Sequence, residues 1–131
     1  MIIHCVRLQP GDDLKVQLAK ICLDKNILAG CIVSSVGSLT QLKLRLANAK
    51  NFLQLTQNFE IISLNGTVST NGIHLHMSVS DHEGRVWGGH LMDQNIIFTT
   101  CELAILELPN YTFLREEDMA TGFKELVIAK S

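Results

Sequence analysis

The stretch from Gly72 to Met92, G-I-H-L-H-M-S-V-S-D-H-E-G-R-V-W-G-G-H-L-M, constrains the fold of this chain more than any other. Apolar and polar residues alternate on both sides of a D-H-E-G turn. That is the pattern of a β-hairpin with one buried face. Residues two apart on a strand point to the same side, so His74 and His76 share a face. A hairpin centred near Glu83 sets His90 opposite His76, and all three imidazoles then converge. This is the spacing of a three-histidine metal site. Three histidines on a half-exposed sheet face serve equally to hydrogen-bond across a subunit contact, and strand periodicity alone does not separate the two.

The rest of the chain supplies elements for this hairpin to pack against. Ile2 to Leu8 reads as a first strand, ended by Pro10-Gly11. Asp12 or Asp13 caps a helix whose apolar face carries Leu14, Leu18, Ile21 and Cys22, and Asn26 is a left-handed stop. Ala29 to Gly37 reads as a buried strand, Gly37-Ser38 as a bend, and Leu42 to Leu46 as a half-buried strand. Asn48 to Asn58 is polar and irregular and reads as a loop that leaves room for a short strand. Phe59 to Ser69 is a strand in which Gly66 marks a bulge or a close backbone approach. Ile96 to Leu108 is a long strand closed by Pro109. The tail from Tyr111 mixes a charged L-R-E-E-D segment with F-K-E-L-V-I and reads as one turn of helix and a last strand. No repeat, low-complexity tract or linker interrupts residues 1–131, so the expectation is a single α+β domain: a mostly antiparallel sheet with one main helix.

Composition narrows the function classes. With 47% hydrophobic and 18% charged residues the chain has a core to bury. A net charge of −2 is not the footprint of a protein that grips DNA mainly through its phosphates. Any such patch has to be assembled by oligomerisation, from Arg7, Lys43, Arg45, Lys50 and Arg85. Cys5, Cys22, Cys31 and Cys101 form no C-x-x-C pair, the N-terminus is too short and polar for a signal peptide, and no apolar run spans a bilayer. The expectation is a cytoplasmic protein with reduced, mostly buried thiols.

Six segments in order, G-D-D-L, V-G-S-L, F-E-I-I-S-L-N-G-T-V-S, G-I-H-L-H-M-S-V-S-D, G-R-V-W-G-G-H-L and T-G-F-K-E-L, resemble the PPC domain (plants and prokaryotes conserved, also called DUF296). The resemblance runs from Arg7 to about Val127. It implies an α+β fold of the acetolactate-decarboxylase-like structural group and, for stand-alone prokaryotic members, a homotrimer. Plant members bind A·T-rich DNA through an upstream AT-hook. This sequence contains no R-G-R-P core of such a hook. Metal-binding members of the wider structural group hold zinc through an H-x-H pair and a third histidine, and His74, His76 and His90 match that pattern.

Three function classes follow. The first is a trimeric metal or small-ligand site at His74, His76 and His90, with Zn²⁺ or another divalent transition metal. A zinc-bound water would serve as nucleophile or base, Glu102 is the candidate general base or metal-orienting partner, and no substrate is specified. Arg7 is a candidate anion binder, and Gly88-Gly89 would let backbone approach a ligand or another chain closely. The second class is a DNA-associated regulatory protein, by analogy with the AT-hook relatives. The third is a structural oligomerisation module in which the histidines only pack. Asp81 and Gly84 shape the turn, and His82 and His4 are read as solvent-facing without partners.

Overall fold

Buried Leu75, Met77 and Val79 alternate along one strand with more exposed His74, His76 and Ser78, and this alternation sets which side of the sheet faces the core. The structure, a computed structural model, describes residues 1–131. In order it has β1 (Ile2–Leu8), α1 (Leu14–Asp24), β2 (Gly30–Arg45), β3 (Phe52–Ser69), β4 (Gly72–Ser80), β5 (Val86–Leu91), β6 (Ile96–Glu107), β7 (Tyr111–Glu117) and β8 (Lys124–Lys130). The fold is α+β, with one short helix on a mostly antiparallel sheet.

Six strands form the main sheet in the order β1-β6-β2-β3-β4-β5, and β5 also pairs with the end of β2. β2 is therefore the spine. Along one edge it carries β3. Along the other it carries first β6, from Gly30 to Gln41, and then β5 at Leu44 and Arg45. The cycle β2-β3-β4-β5 closes on itself, which leaves less free edge. Between β5 and β6 the ladder is completed by a side chain. Asn95, fully buried, accepts from the Lys43 amide (2.8 Å) and donates through Nδ2 to the carbonyls of Lys43 (2.8 Å) and Met92 (2.7 Å).

The helix begins where Asp13 accepts a hydrogen bond from the Val16 amide, and Asn26 follows it in the left-handed region at φ 51°. Leu14, Leu18 and Cys22 are fully buried and join one apolar cluster with Leu64, Leu75 and Met77 of β3 and β4. Burial of each such leucine contributes roughly 1.5–3 kcal/mol. Cys22 and Cys101 are buried as well, and burial pushes their thiols up to about 11 and about 12, so neither is a nucleophile near neutral pH. Cys5 is exposed and Cys31 half-buried, so two of the four thiols are buried where most were expected to be.

Three local readings are corrected. Gly37-Ser38 does not break the chain: β2 runs through it, with register shifts against β6 absorbing the irregularity. The polar segment Asn48 to Asn58 is a loop only to Asn51, and the strand in it is longer than expected: β3 begins at Phe52 and pairs Phe52, Leu53 and Leu55 with Arg45, Leu44 and Leu42. The tail holds no helical turn. β7 and β8 form a two-stranded antiparallel ribbon of their own, with Arg115 opposite Leu126. The ribbon is tied to the rest of the domain at its base, where the Phe113 amide donates to the Leu28 carbonyl and Asn71 Nδ2 donates to the Phe113 carbonyl, both at 2.9 Å. No helix is long and apolar enough to cross a membrane.

Candidate metal centre

β4 and β5 pair with His76 directly opposite His90, so the three histidines stand on the outer face of the hairpin, away from Leu75, Met77 and Leu91. One ligating nitrogen from each lies within 4.8 Å of the others. Ring centroids are 5.2 Å apart for His74–His90, 5.3 Å for His74–His76 and 5.9 Å for His76–His90. Two close backbone approaches set this arrangement. Gly66 on β3, at φ 141°, sits where a Cβ would be 2.0 Å from the His74 carbonyl oxygen. A Cβ on Gly89 would lie 2.7 Å from the Arg45 carbonyl oxygen, so glycine is what lets β5 settle against β2.

The surroundings push His74 and His90 toward the neutral form. Burial, then the Arg45 charge and His74, lower His90 to about 4. His74 is lowered by burial first and next by Arg115. The Nδ1 atom of His90 is buried without a hydrogen-bond partner. Buried polar nitrogens are rarely left so, and three imidazoles on one face with one orphaned nitrogen fit an imidazole-preferring divalent metal.

The ribbon roofs this face. A cavity of about 270 Å³ is bounded below by His74 and His90 and at its sides by Arg45, Arg115, Lys124 and Glu125. Arg115 donates through Nη2 to Thr67 Oγ1 at 2.9 Å, and Arg45 lies 5.8 Å from the centre of the Phe123 ring. None of these ribbon residues was singled out by sequence reasoning. Arg45 was named only as part of a DNA patch. Its signal was non-local: it is the register partner of His90 across the β2–β5 closure.

The other sequence candidates lie elsewhere in the chain. Glu102 pairs with Arg7 on β1 and with Val36 on β2, whereas His90 pairs with Arg45. Val36 and Arg45 are on the order of 30 Å apart along an extended strand, so within one chain Glu102 does not reach the histidines. Arg7 does not contact them either: its Nε donates to Thr100 Oγ1 at 2.9 Å. Gly88 and Gly89 line a neighbouring hollow with His76 and His90. His4 has a partner after all, since its Nε2 and Glu107 Oε2 are 2.6 Å apart. His82 is exposed beside Glu83. Asp81 shapes the turn as expected, accepting from the Glu83 and Arg85 amides (2.9 and 3.0 Å) and from Trp87 Nε1 (3.3 Å). Arg85 is engaged with Asp81 and Glu83, so the five cations grouped in sequence as a DNA patch do not stand free together.

A closed antiparallel cycle with a helix on one side and a histidine cluster under a C-terminal ribbon defines a class of small domains, and comparison with known proteins assigns it. The Plants and Prokaryotes Conserved (PCC) domain, the PPC domain of the sequence resemblance, matches residues 1–109, and the chain belongs to this family. It is 41% identical over 128 residues to the bifunctional protein GlmU of a Synechococcus strain, covering 98% of this chain and 21% of that protein. The chain thus spans about a fifth of the length of the curated relatives it matches. Among solved structures, a hypothetical protein from Salmonella cholerae-suis superposes with a TM-score of 0.95 at 40% identity, covering 98% of this chain and 94% of that one. A metal-containing protein from Archaeoglobus fulgidus superposes with a TM-score of 0.82 at 28% identity, covering 97% and 94%.

Proposed function

We propose that this domain is a metal-dependent small-molecule binder that works as a homotrimer, with His74, His76 and His90 holding a divalent transition metal, zinc being the first choice. The observation that carries the reading is the convergence of three imidazoles, one ligating nitrogen of each within 4.8 Å of the others, beside a buried His90 nitrogen with no hydrogen-bond partner. The metal-containing archaeal relative supports it. A bound divalent ion would supply Lewis acidity at this face. The chain's own residues do the rest. β4 and β5 orient the imidazoles, Gly66 and Gly89 let the strands approach closely enough to aim them, and the ribbon limits water access from above.

Self-association draws on the outer face of β1, β6 and β2, where Ile3 and Val36 are 58% and 55% exposed on the same side of the sheet. Elemental analysis of protein purified without an affinity tag tests the metal. About one ion per chain is expected, with loss in His76→Ala. Metal-free protein that takes up no zinc, cobalt or nickel on titration would sink the reading. A mobility shift with duplex DNA that weakens steeply with salt would favour the regulatory reading instead.

A further inference from the structure

We infer that the ligand of the histidine site is a small anion, bearing a carboxylate or phosphate group held between Arg45 and Arg115. This extends the metal reading to its ligand class and rests on that reading for treating the face as a ligand site. Each arginine is tied to the register neighbour of one histidine. Arg45 is itself the β2 partner of His90. Arg115 reaches down from the ribbon to Thr67, which is the β3 partner of His74. The two guanidinium groups therefore flank the imidazoles from opposite sides.

The cavity between them is lined by three cationic side chains, Arg45, Arg115 and Lys124, against one carboxylate, Glu125. None of the four takes part in a salt bridge, although the chain as a whole carries a net charge of −2. The contrast with Arg85, which has two acidic partners, is direct. Arg115 uses one N–H on Thr67, and Arg45 is held by the face of Phe123 without donating a hydrogen bond. A guanidinium has five donors in a planar fork that matches carboxylate and phosphate oxygens. Two such forks are thus positioned by packing and keep most of their donors free. At about 270 Å³ the cavity lies just below the range of roughly 300–1,000 Å³ typical of drug-sized ligands. A space of this size between the two arginines suits an acid of a few atoms.

Calorimetric titration of the zinc-loaded and the chelator-stripped protein with malonate, with inorganic phosphate and with neutral malonamide tests this. Malonate or phosphate should bind and malonamide should not, and the stronger of the two anions decides between carboxylate and phosphate. Arg45→Met and Arg115→Met should each weaken the anion about tenfold or more, with zinc content and melting temperature kept and Arg115→Lys recovering part of the loss. Should either methionine variant fail to fold, Arg115→Lys and the surface change Lys124→Met give the same reading with smaller losses. Malonamide binding as tightly as malonate overturns the inference, as does unchanged anion affinity in folded arginine variants. Zinc retained with no anion bound sinks the anion and leaves the metal. Anion bound through Arg115 in a protein that never takes zinc does the reverse.

Discussion

Two hollows on this molecule invite comparison, and the larger one is the poorer candidate. The larger, about 490 Å³, lies beside the β4–β5 turn and is lined by Ser38, Asn58, Glu60, Asp81, His82 and Thr99 among others. Its buried carboxylate, Asp81, already accepts from two amides and the Trp87 ring, and Ser38 and Thr99 hydrogen-bond to each other at 2.8 Å. The smaller, about 270 Å³, lies at the other end of the same hairpin and holds an orphaned imidazole nitrogen and two arginines without acidic partners. Volume measures where atoms are missing. Free hydrogen-bonding capacity in a partly dry place measures what a ligand would gain by binding.

The sharpest way to break this contrast is to remove one histidine. In His90→Ala metal affinity should fall more than a hundredfold, because loss even of a group that merely orients a ligand costs 10–100-fold. Competition with a chromophoric chelator measures it, and affinity within tenfold of the parent would place the metal elsewhere.

Next in size is Asp81→Asn in the larger hollow. It should leave metal content unchanged and lower the melting temperature by several degrees, since the amide accepts the turn's N–H groups less well. Its pH dependence sharpens the assignment. Loss of water raises the Asp81 carboxyl, but the Glu83 and Arg85 amides, the Trp87 ring N–H and the Arg85 charge outweigh that and hold it below the ordinary range. A depressed folded pKa means stabilisation that is whole above about 3.9 and is lost as pH falls through the lower, folded value. Thermal melts from pH 5 downward should show this loss in the parent and a flatter profile in Asp81→Asn.

A smaller effect is expected at Glu102. Glu102→Gln should leave zinc affinity within twofold, because this carboxylate pairs with Val36, well along β2 from Arg45 and His90. A larger loss on titration would show that a neighbouring copy delivers it to the histidines. Smallest of all is His82→Ala, an exposed turn residue, which should change stability by no more than about 0.5 kcal/mol and metal content not at all.

Much of the hairpin was legible in advance because its information is local. Alternation with period two and a turn centred by Asp81 and Gly84 are enough to set His76 opposite His90, and the structure has that pairing. The helix was legible for the same reason, through Asp13, Leu14, Leu18 and Cys22. How much of the stretch before Asn58 is strand was not legible, because its polar residues fill the outer face of a strand held by β2, and composition reports polarity without reporting a partner. The charged tail was misread likewise: Arg115 and Glu125 face the histidine cavity from a ribbon that no local pattern announces.

By itself, then, the sequence determined which residues alternate, where the hairpin turns, and that three imidazoles share one face. Tertiary structure alone decided that β5 closes on β2 with Arg45 beside His90, that the ribbon brings Arg115 over the site, and that Glu102 and Arg7 stand apart. The physical reason is separation along the chain. A strand's periodicity is written in adjacent residues, whereas edge pairing is chosen by which apolar faces bury together and which glycines permit close approach, and those partners are tens of residues away.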